Sequence, residues 1–404
     1  MKVLQVNCVY KKGSTGKITY DLHKGLLEAG IESVVCYGRG ELVEESGVYK
    51  TCPEWYSKLN NLITRITGVM YGGCFFSTNK LISIIKKEKP DIVHLQCING
   101  YFVNIYRLVE WLKKNHIKTV LSLHAEFMYT ANCGHALECN RWKTGCGACP
   151  RRKSETKSLF IDGTATSWKR MKRAFDGFEY DLIVTSVSPW LMNRAKQSPI
   201  LQGMNHCVVY NGLDTDVFHP YNTEILRKKH HCEGKKIVFH ATPAFSADPS
   251  HFKGGWYVLE LAKRMPDVQF IVAGNCMGKI HVPENVILLG RLSDQRTLAH
   301  YYSMADVTII ASKKETFSMI VAESLCCGTP VVGFKAGGPE QIAIPEYSCF
   351  IEYGDIDALE KELAELLKHP INIFVQEEAA HIYSSQSMLD KYILIYKMML
   401  GENV

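Results

Sequence analysis

The sequence predicts an α/β protein made of two doubly wound parallel sheets. Three observations lead there. Short apolar runs rich in β-branched residues recur along the 404 residues, the mark of strands buried on both faces. Segments of helical period alternate with those runs, so that each strand feeds a crossover helix. The alternation breaks around residues 206–220 and restarts at Lys236, which divides the chain into two sheets.

In order, residues 1–9 read as a strand, followed by a glycine-rich turn at Gly13 and Gly16 with Lys17, a helix over 18–27 and a second strand at 32–37. The turn is neither G-x-G-x-x-G nor a P-loop, because Lys11 and Ile18 occupy positions those motifs reserve for glycine and for Ser or Thr. Trp55, Tyr56, Leu59, Leu62, Ile63 and Ile66 fall on one helical face, which reads first as packing against the core and second as a face that lines an acceptor groove or meets a membrane. Strands follow at 91–96, at 118–124, where the run ends on His124, and at 181–188. Ser167 to Phe175 is a basic helix with interleaved aromatics. Residues 208–220 are a strand and an Asn-Gly turn. The second half gives strands at 236–241, 268–273, 285–290, 305–312 and 329–334, helices over 255–264 and 295–304, and a terminal helix over 385–400.

Composition excludes several classes. Hydrophobic content of 46% and charged content of 22% describe a globular chain with full cores. No apolar stretch is long enough to cross a bilayer, and residues 1–8 read as a first strand, not a signal peptide. A net charge of +6 is mild and suits an anionic substrate or an anionic membrane surface as well as nucleic acid. The glycine fingerprint of nicotinamide enzymes is absent after both first strands. Of the 15 cysteines, those scattered singly in apolar runs read as reduced, buried thiols, consistent with a cytoplasmic protein.

The most informative stretch is 305–340. Glu315 falls in the loop leaving a strand, and Ser318 to Cys327 reads as the helix that follows, with no charge in its first turn. The free N–H groups and dipole of such a helix make an anion site. Glu315 and Glu323, eight residues apart, flank whatever anion docks there. Gly328 stops the helix.

The Glu315 to Glu323 spacing in its strand–loop–helix frame, residues 327–332 and Gly337-Gly338-Pro339-Glu340 together resemble the retaining glycosyltransferases of family 4. The resemblance implies the GT-B fold, two facing Rossmann-like domains with a C-terminal helix crossing back to the first. On this chain that gives an acceptor-side domain over 1–205, a nucleotide-sugar domain over 206–384 and a crossover helix over 385–404. It places Glu315 beside the transferred sugar and Glu323 on the nucleotide ribose. Lys253, in a Lys-Gly motif, would pair with the donor diphosphate, joined by the N–H groups of Phe317 and Ser318 and by the Gly13–Gly16 turn. Gly274 and Arg291 fall where the base binds, and His124 where the sugar is contacted. Two departures stand out. The family usually has an Arg within 242–249 and His-Asp at the His124 position; here 242–249 holds no Arg, and His124 is followed by Ala125 and Glu126.

Cys133, Cys139, Cys146 and Cys149 are spaced C-x5-C-x6-C-x2-C, and the closing C-x2-C is a half-site for tetrahedral zinc. A structural zinc, disulfides, free thiols and an iron–sulfur cluster all remain open, and a nucleic-acid finger is disfavoured for want of a second half-site. Asp214 and Asp216 have the Asp-x-Asp form but belong to a turn, so no catalytic Mg²⁺ or Mn²⁺ is expected. The reading is therefore a retaining glycosyltransferase acting on a UDP-, GDP- or other nucleoside-diphosphate sugar, with a saccharide or lipid-linked saccharide as acceptor. Its setting is surface polysaccharide or glycan synthesis, cytoplasmic or peripheral at an anionic membrane surface, with no nucleic-acid partner. The alternative is a lapsed nucleotide-sugar-binding or scaffold protein, motivated by the two departures.

Overall fold

Val3, Leu4 and Val6 are fully buried in the central strand of the first sheet, β1 (Lys2–Asn7). In the computed structural model this strand pairs in parallel with β2 (Glu32–Tyr37) on one side and β4 (Ile92–Leu95) on the other. With β3 (Val48–Lys50), β5 (Thr119–Leu123), β6 (Leu182–Ser186) and β7 (Asn205–Val208) the order is β3-β2-β1-β4-β5-β6-β7. The second sheet holds β8 (Lys236–Phe245), β9 (Val268–Cys276), β10 (Val286–Gly290), β11 (Val307–Ile310), β12 (Val331–Phe334) and β13 (Ser348–Ile351), in the order β10-β9-β8-β11-β12-β13. Both orders reverse beside the first strand, between β1 and β4 and between β8 and β11. That reversal opens a crevice beyond the carboxyl ends of the strands, where doubly wound sheets bind ligands. The fold is thus α/β with two Rossmann-like domains.

The structure describes residues 1–368 and 374–402. Residues 369–373, inside the second predicted domain, and 403–404, at the end of the predicted crossover helix, lie outside the described residues. The chain divides into two compact units, Met1–Val209 with Met388–Val404, and Tyr210–Ser387. The helix Ser385–Leu400 brings the chain end onto the first sheet: its Met388, Leu389, Tyr392, Ile395 and Tyr396 pack with Val3, Leu22, Leu26 and Ile92. A buried polar relay fixes its register. The two ring nitrogens of His94 lie 2.7 Å from the Tyr396 hydroxyl and 2.7 Å from Ser122 Oγ, which is 2.8 Å from the Tyr392 hydroxyl. Burial lowers the His94 pKa to about 3, so the ring is neutral.

Two elements differ from expectation. The Gly13–Gly16 turn is itself the first turn of a helix, Gly13–Glu28, because Gly13 adopts φ +69° and closes the turn at once. β8 runs on through Phe245 across a register shift after Ala241, pairing with β9, so part of the loop expected at 242–249 is strand.

Candidate active site

At the carboxyl end of β11 the chain crosses into the helix Met319–Cys326. Residues Val321 to Cys326 are all buried, and the helix has no acidic residue in its first turn. Ser318 precedes it with φ +78° and ψ +90°, a costly conformation for a residue with a Cβ. Its hydroxyl is buried and has no hydrogen-bond partner among the described residues. An orphaned hydroxyl at the positive end of a helix dipole suits an incoming anion.

The loop before Ser318 is clamped from both sides. Glu315 N donates to Ala336 O at 3.0 Å and Gly338 N donates to Glu315 O at 2.9 Å. The Glu340 carboxylate accepts from the N–H groups of Ala336 and Gly337. A Cβ on Gly338 would lie 2.5 Å from the Thr316 carbonyl, so only glycine lets the two loops approach. From the other side comes Lys253. Gly254 has φ +69°, and a Cβ there would lie 1.9 Å from Ala311 O, at the end of β11. Lys313 N ties the same loop by donating to Phe252 O at 2.7 Å. The result is an ion pair of 2.6 Å between Lys253 Nζ and Glu315 Oε1, both side chains largely buried. His240, below it in β8, donates from Nδ1 to Ile309 O at 3.0 Å; burial lowers its pKa to about 4 and Lys253 adds to the effect.

Alongside lies a cavity of about 480 Å³, lined on one side by Thr242, Pro243 and Gly274 and on the other by Met319, Ile320 and Glu323, with Arg291 at its edge. Gly274 is required by close approach, since a Cβ would lie 2.3 Å from Thr242 O. Glu323 is buried and accepts from the Tyr302 hydroxyl at 2.9 Å. A larger hollow of about 600 Å³ lies around Lys235, Asp267 and Asn285, at the amino ends of the strands and hence at the wrong end of the sheet for a ligand. The structure thus brings Lys253, Glu315, Phe317, Ser318, Glu323, Gly274 and Arg291 to one end of the second sheet. Tyr302 and Glu340 support them; nothing in the spacing of Tyr302 signals that role, whereas Glu340 stands in the Gly-Gly-Pro-Glu run.

Residues 225–385 match the family model of glycosyl transferases group 1. The match lies within the second unit. WcaC of Escherichia coli K12, a glycosyl transferase ascribed to colanic acid biosynthesis, is 22% identical over 98% of this chain and its own full length. The N-acetyl-alpha-D-glucosaminyl L-malate synthase of Bacillus anthracis is 23% identical over 80% of this chain and 79% of its own. Among solved structures, Anabaena HepE in complex with UDP superposes with a TM-score of 0.67 at 15% identity, covering 98% of this chain and all of that one.

The first unit holds the remaining predicted residues. Gly16 is buried under Val9, and a Cβ there would touch Val9 Cγ2 at 3.0 Å; Gly13 faces open space. His124, just past β5, is half-buried, and burial lowers its pKa to about 4. Glu126, next but one, is spent internally. It is fully buried, paired with Arg194 at 2.6 Å, and accepts from the Tyr129 hydroxyl and Ala136 N. Asp214 accepts from Asp216 N at 3.0 Å, which is turn chemistry.

Cys133, Cys139, Cys146 and Cys149 line one cavity of about 20 Å³. Burial first, and then the neighbouring Cys139 thiol, push Cys146 up to about 12; burial raises Cys133 and Cys149 as well. Among the described residues no three His, Cys, Asp or Glu side chains are placed to hold one metal ion. Cys146 Sγ faces Thr130 O at 3.7 Å, and the backbone N–H of Cys149 donates to Asp162 at 2.6 Å. The tetrahedral zinc set expected from spacing does not fit as the side chains stand, and all four are free thiols.

Proposed function

We propose that this protein moves a sugar from a nucleoside-diphosphate sugar to a saccharide or lipid-linked saccharide acceptor, with retention of configuration, in the synthesis of a surface polysaccharide or glycan. The observation that carries the reading is the Lys253–Glu315 ion pair set against the orphaned Ser318 hydroxyl at a helix N-terminus, beside a cavity that ends on Glu323. The base and ribose would occupy that cavity, with a ribose hydroxyl donating to Glu323, which Tyr302 orients. The diphosphate would lie against the amides of Phe317 and Ser318. Lys253 then exchanges Glu315 for the diphosphate, which frees the carboxylate to face the sugar.

When the bond from the anomeric carbon to the diphosphate oxygen breaks, negative charge gathers on the leaving group and positive charge on the ring. Lys253, the amides and the helix dipole stabilise the first, and Glu315 the second. The new bond forms to an acceptor hydroxyl oxygen, whose proton passes to the departing diphosphate oxygen. WcaC supports the polysaccharide setting and the HepE complex makes UDP the first nucleotide to try. A cytoplasmic protein, peripheral at the inner face of a membrane, fits a lipid-linked acceptor; no helix among the described residues is long and apolar enough to cross a membrane.

The test is a thermal-shift screen with UDP-, GDP-, ADP- and dTDP-sugars. A ligand at a hundredfold excess over its dissociation constant adds about 2.7 kcal/mol of stability. A shift with slow donor hydrolysis or transfer supports the enzyme. A shift without turnover supports a lapsed binding protein, the reading favoured by the lack of a cation at 242–249. No shift with any donor overturns both.

A further inference from the structure

Where the strand order of the second sheet reverses, β8 and β11 part, and a histidine fills the gap. The two strands pair at Val238 with Val307 and at Phe239 with Thr308, and the pairing ends there. One residue further on, Ile309 O is met by Nδ1 of His240 at 3.0 Å. The imidazole thus stands in for the backbone donor that the diverging strand no longer offers. Two residues beyond Ile309, Gly254 packs on the carbonyl of Ala311, with Lys253 next to it in the chain. His240 and the Lys253 loop therefore rest on the same short stretch, residues 309–311.

The bond to Ile309 O fixes the tautomer. Nδ1 carries the proton, so Nε2 of the neutral ring is a lone pair. Nε2 is buried and has no hydrogen-bond partner among the described residues, and His240 as a whole is 3% exposed. A buried acceptor without a donor is uncommon and calls for one. Phe245, whose ring lies 5.9 Å away, offers none. Protonating Nε2 is no remedy, because burial opposes the charged ring and Lys253 opposes it further. Among the described residues Lys253 is the one charged side chain that bears on this ring, and its ammonium is a donor with three N–H groups.

In the present arrangement Lys253 is held by Glu315 at 2.6 Å. Transfer requires that pair to open, because the carboxylate must face the sugar. Lysine is a point charge on a flexible four-carbon stem, so a freed ammonium has no fixed place of its own. A second carboxylate would hold it but offset its charge. A neutral imidazole holds it and leaves the whole positive charge for the leaving group. With no Arg within 242–249, the site leans on this one lysine. We propose that His240 is the positioning residue for Lys253: its Nε2 accepts an N–H of the ammonium once Lys253 leaves Glu315, and so aims the charge at the diphosphate. This rests on Lys253 being the cation of the donor site, the reading given above.

The test is nitrogen-15 spectroscopy of the histidine rings in the full chain, joined to titration calorimetry. In ligand-free wild type the His240 ring is expected to carry its proton on Nδ1 between about pH 6 and 8. Glu315→Gln takes away the partner of Lys253 with no sugar donor present, and the Nε2 resonance should shift as the ammonium arrives. Glu315→Gln/Lys253→Met should leave that resonance at its wild-type position. In calorimetry His240→Leu should weaken UDP about three- to tenfold and leave uridine unchanged, with no further loss in the Lys253→Met background. His240→Gln, which keeps an acceptor, should recover most of the loss. An Nε2 resonance that Glu315→Gln does not move, a loss shared by uridine, or a loss undiminished in Lys253→Met would each overturn the proposal. If His240→Leu does not melt cooperatively, the Glu315→Gln spectra decide alone. Wild type that binds no UDP would defeat the donor reading, while the spectra, which need no donor, still decide where Lys253 goes.

Discussion

The two sheets share one strand order over six strands and one glycine at the first βα turn, yet the lysines beside the two glycines are placed in opposite senses. Gly13 and Gly254 have the same φ, +69°. Gly13 meets nothing within 4 Å, and the neighbouring lysines are tied outward, Lys11 to Glu45 and Lys12 to Glu41. Gly254 is wedged against the carbonyl of Ala311, and the neighbouring Lys253 is held inward on Glu315. One fold, used twice, carries a converging set of charges in one copy and a solvated turn in the other, which shows that function resides in side-chain placement on the fold.

That contrast is open to direct attack. Lys253→Met should lower kcat/KM for donor-dependent transfer by about 10²–10³-fold, the usual loss when one stabiliser of developing charge is removed, whereas Lys12→Ala should leave it within error; equal losses would erase the distinction. Gly254→Ala should destabilise by about 3 kcal/mol, because backbone must move to admit the Cβ. Gly13→Ala should cost only about 1–2 kcal/mol, the left-handed conformation alone. Urea midpoints of the two variants decide this. Glu323→Gln should weaken donor binding about tenfold or more, as expected for a hydrogen bond to a charged group, and leave uridine-free sugar phosphates unaffected in the same titration.

The smallest effect concerns pH. Each sheet buries a neutral histidine, His94 with its pKa lowered to about 3 and His240 to about 4, both by burial. Between those values and the ordinary value near 6.5 the unfolded chain binds more protons than the folded one. Stability is therefore complete above about pH 6.5 and declines as pH falls toward 4. Melting temperatures across that range should fall less steeply for His94→Gln and for His240→Gln than for wild type.

The second unit was largely legible because its signals are local. Strand runs and the charge-free first turn after Ser318 each act within a few residues of where they stand, whereas the glycines at 254, 274 and 338 answer to Ala311, Thr242 and Thr316, far along the chain. The first unit was harder for the opposite reason. The stripe Trp55 to Ile66 has a perfect helical period, but periodicity carries no sign: it says that one face is apolar, not which way it points. Ser57 and Asn60 turn the stripe to solvent by bonding to Gly100 and Cys74, residues far along the chain. The cysteine spacing is silent in the same way: it places four thiols around one cavity without saying what they hold. Glu126, read in sequence as a departure from a family pattern, is the buried partner of Arg194, 68 residues on.

The central claim is that Lys253 and the amide end of the helix at Ser318 grip a diphosphate. Titration calorimetry of wild type and Lys253→Met with UDP and with uridine tests it most directly. The account predicts that the substitution weakens UDP at least tenfold and leaves uridine unchanged. Equal affinity of both proteins for UDP would contradict it.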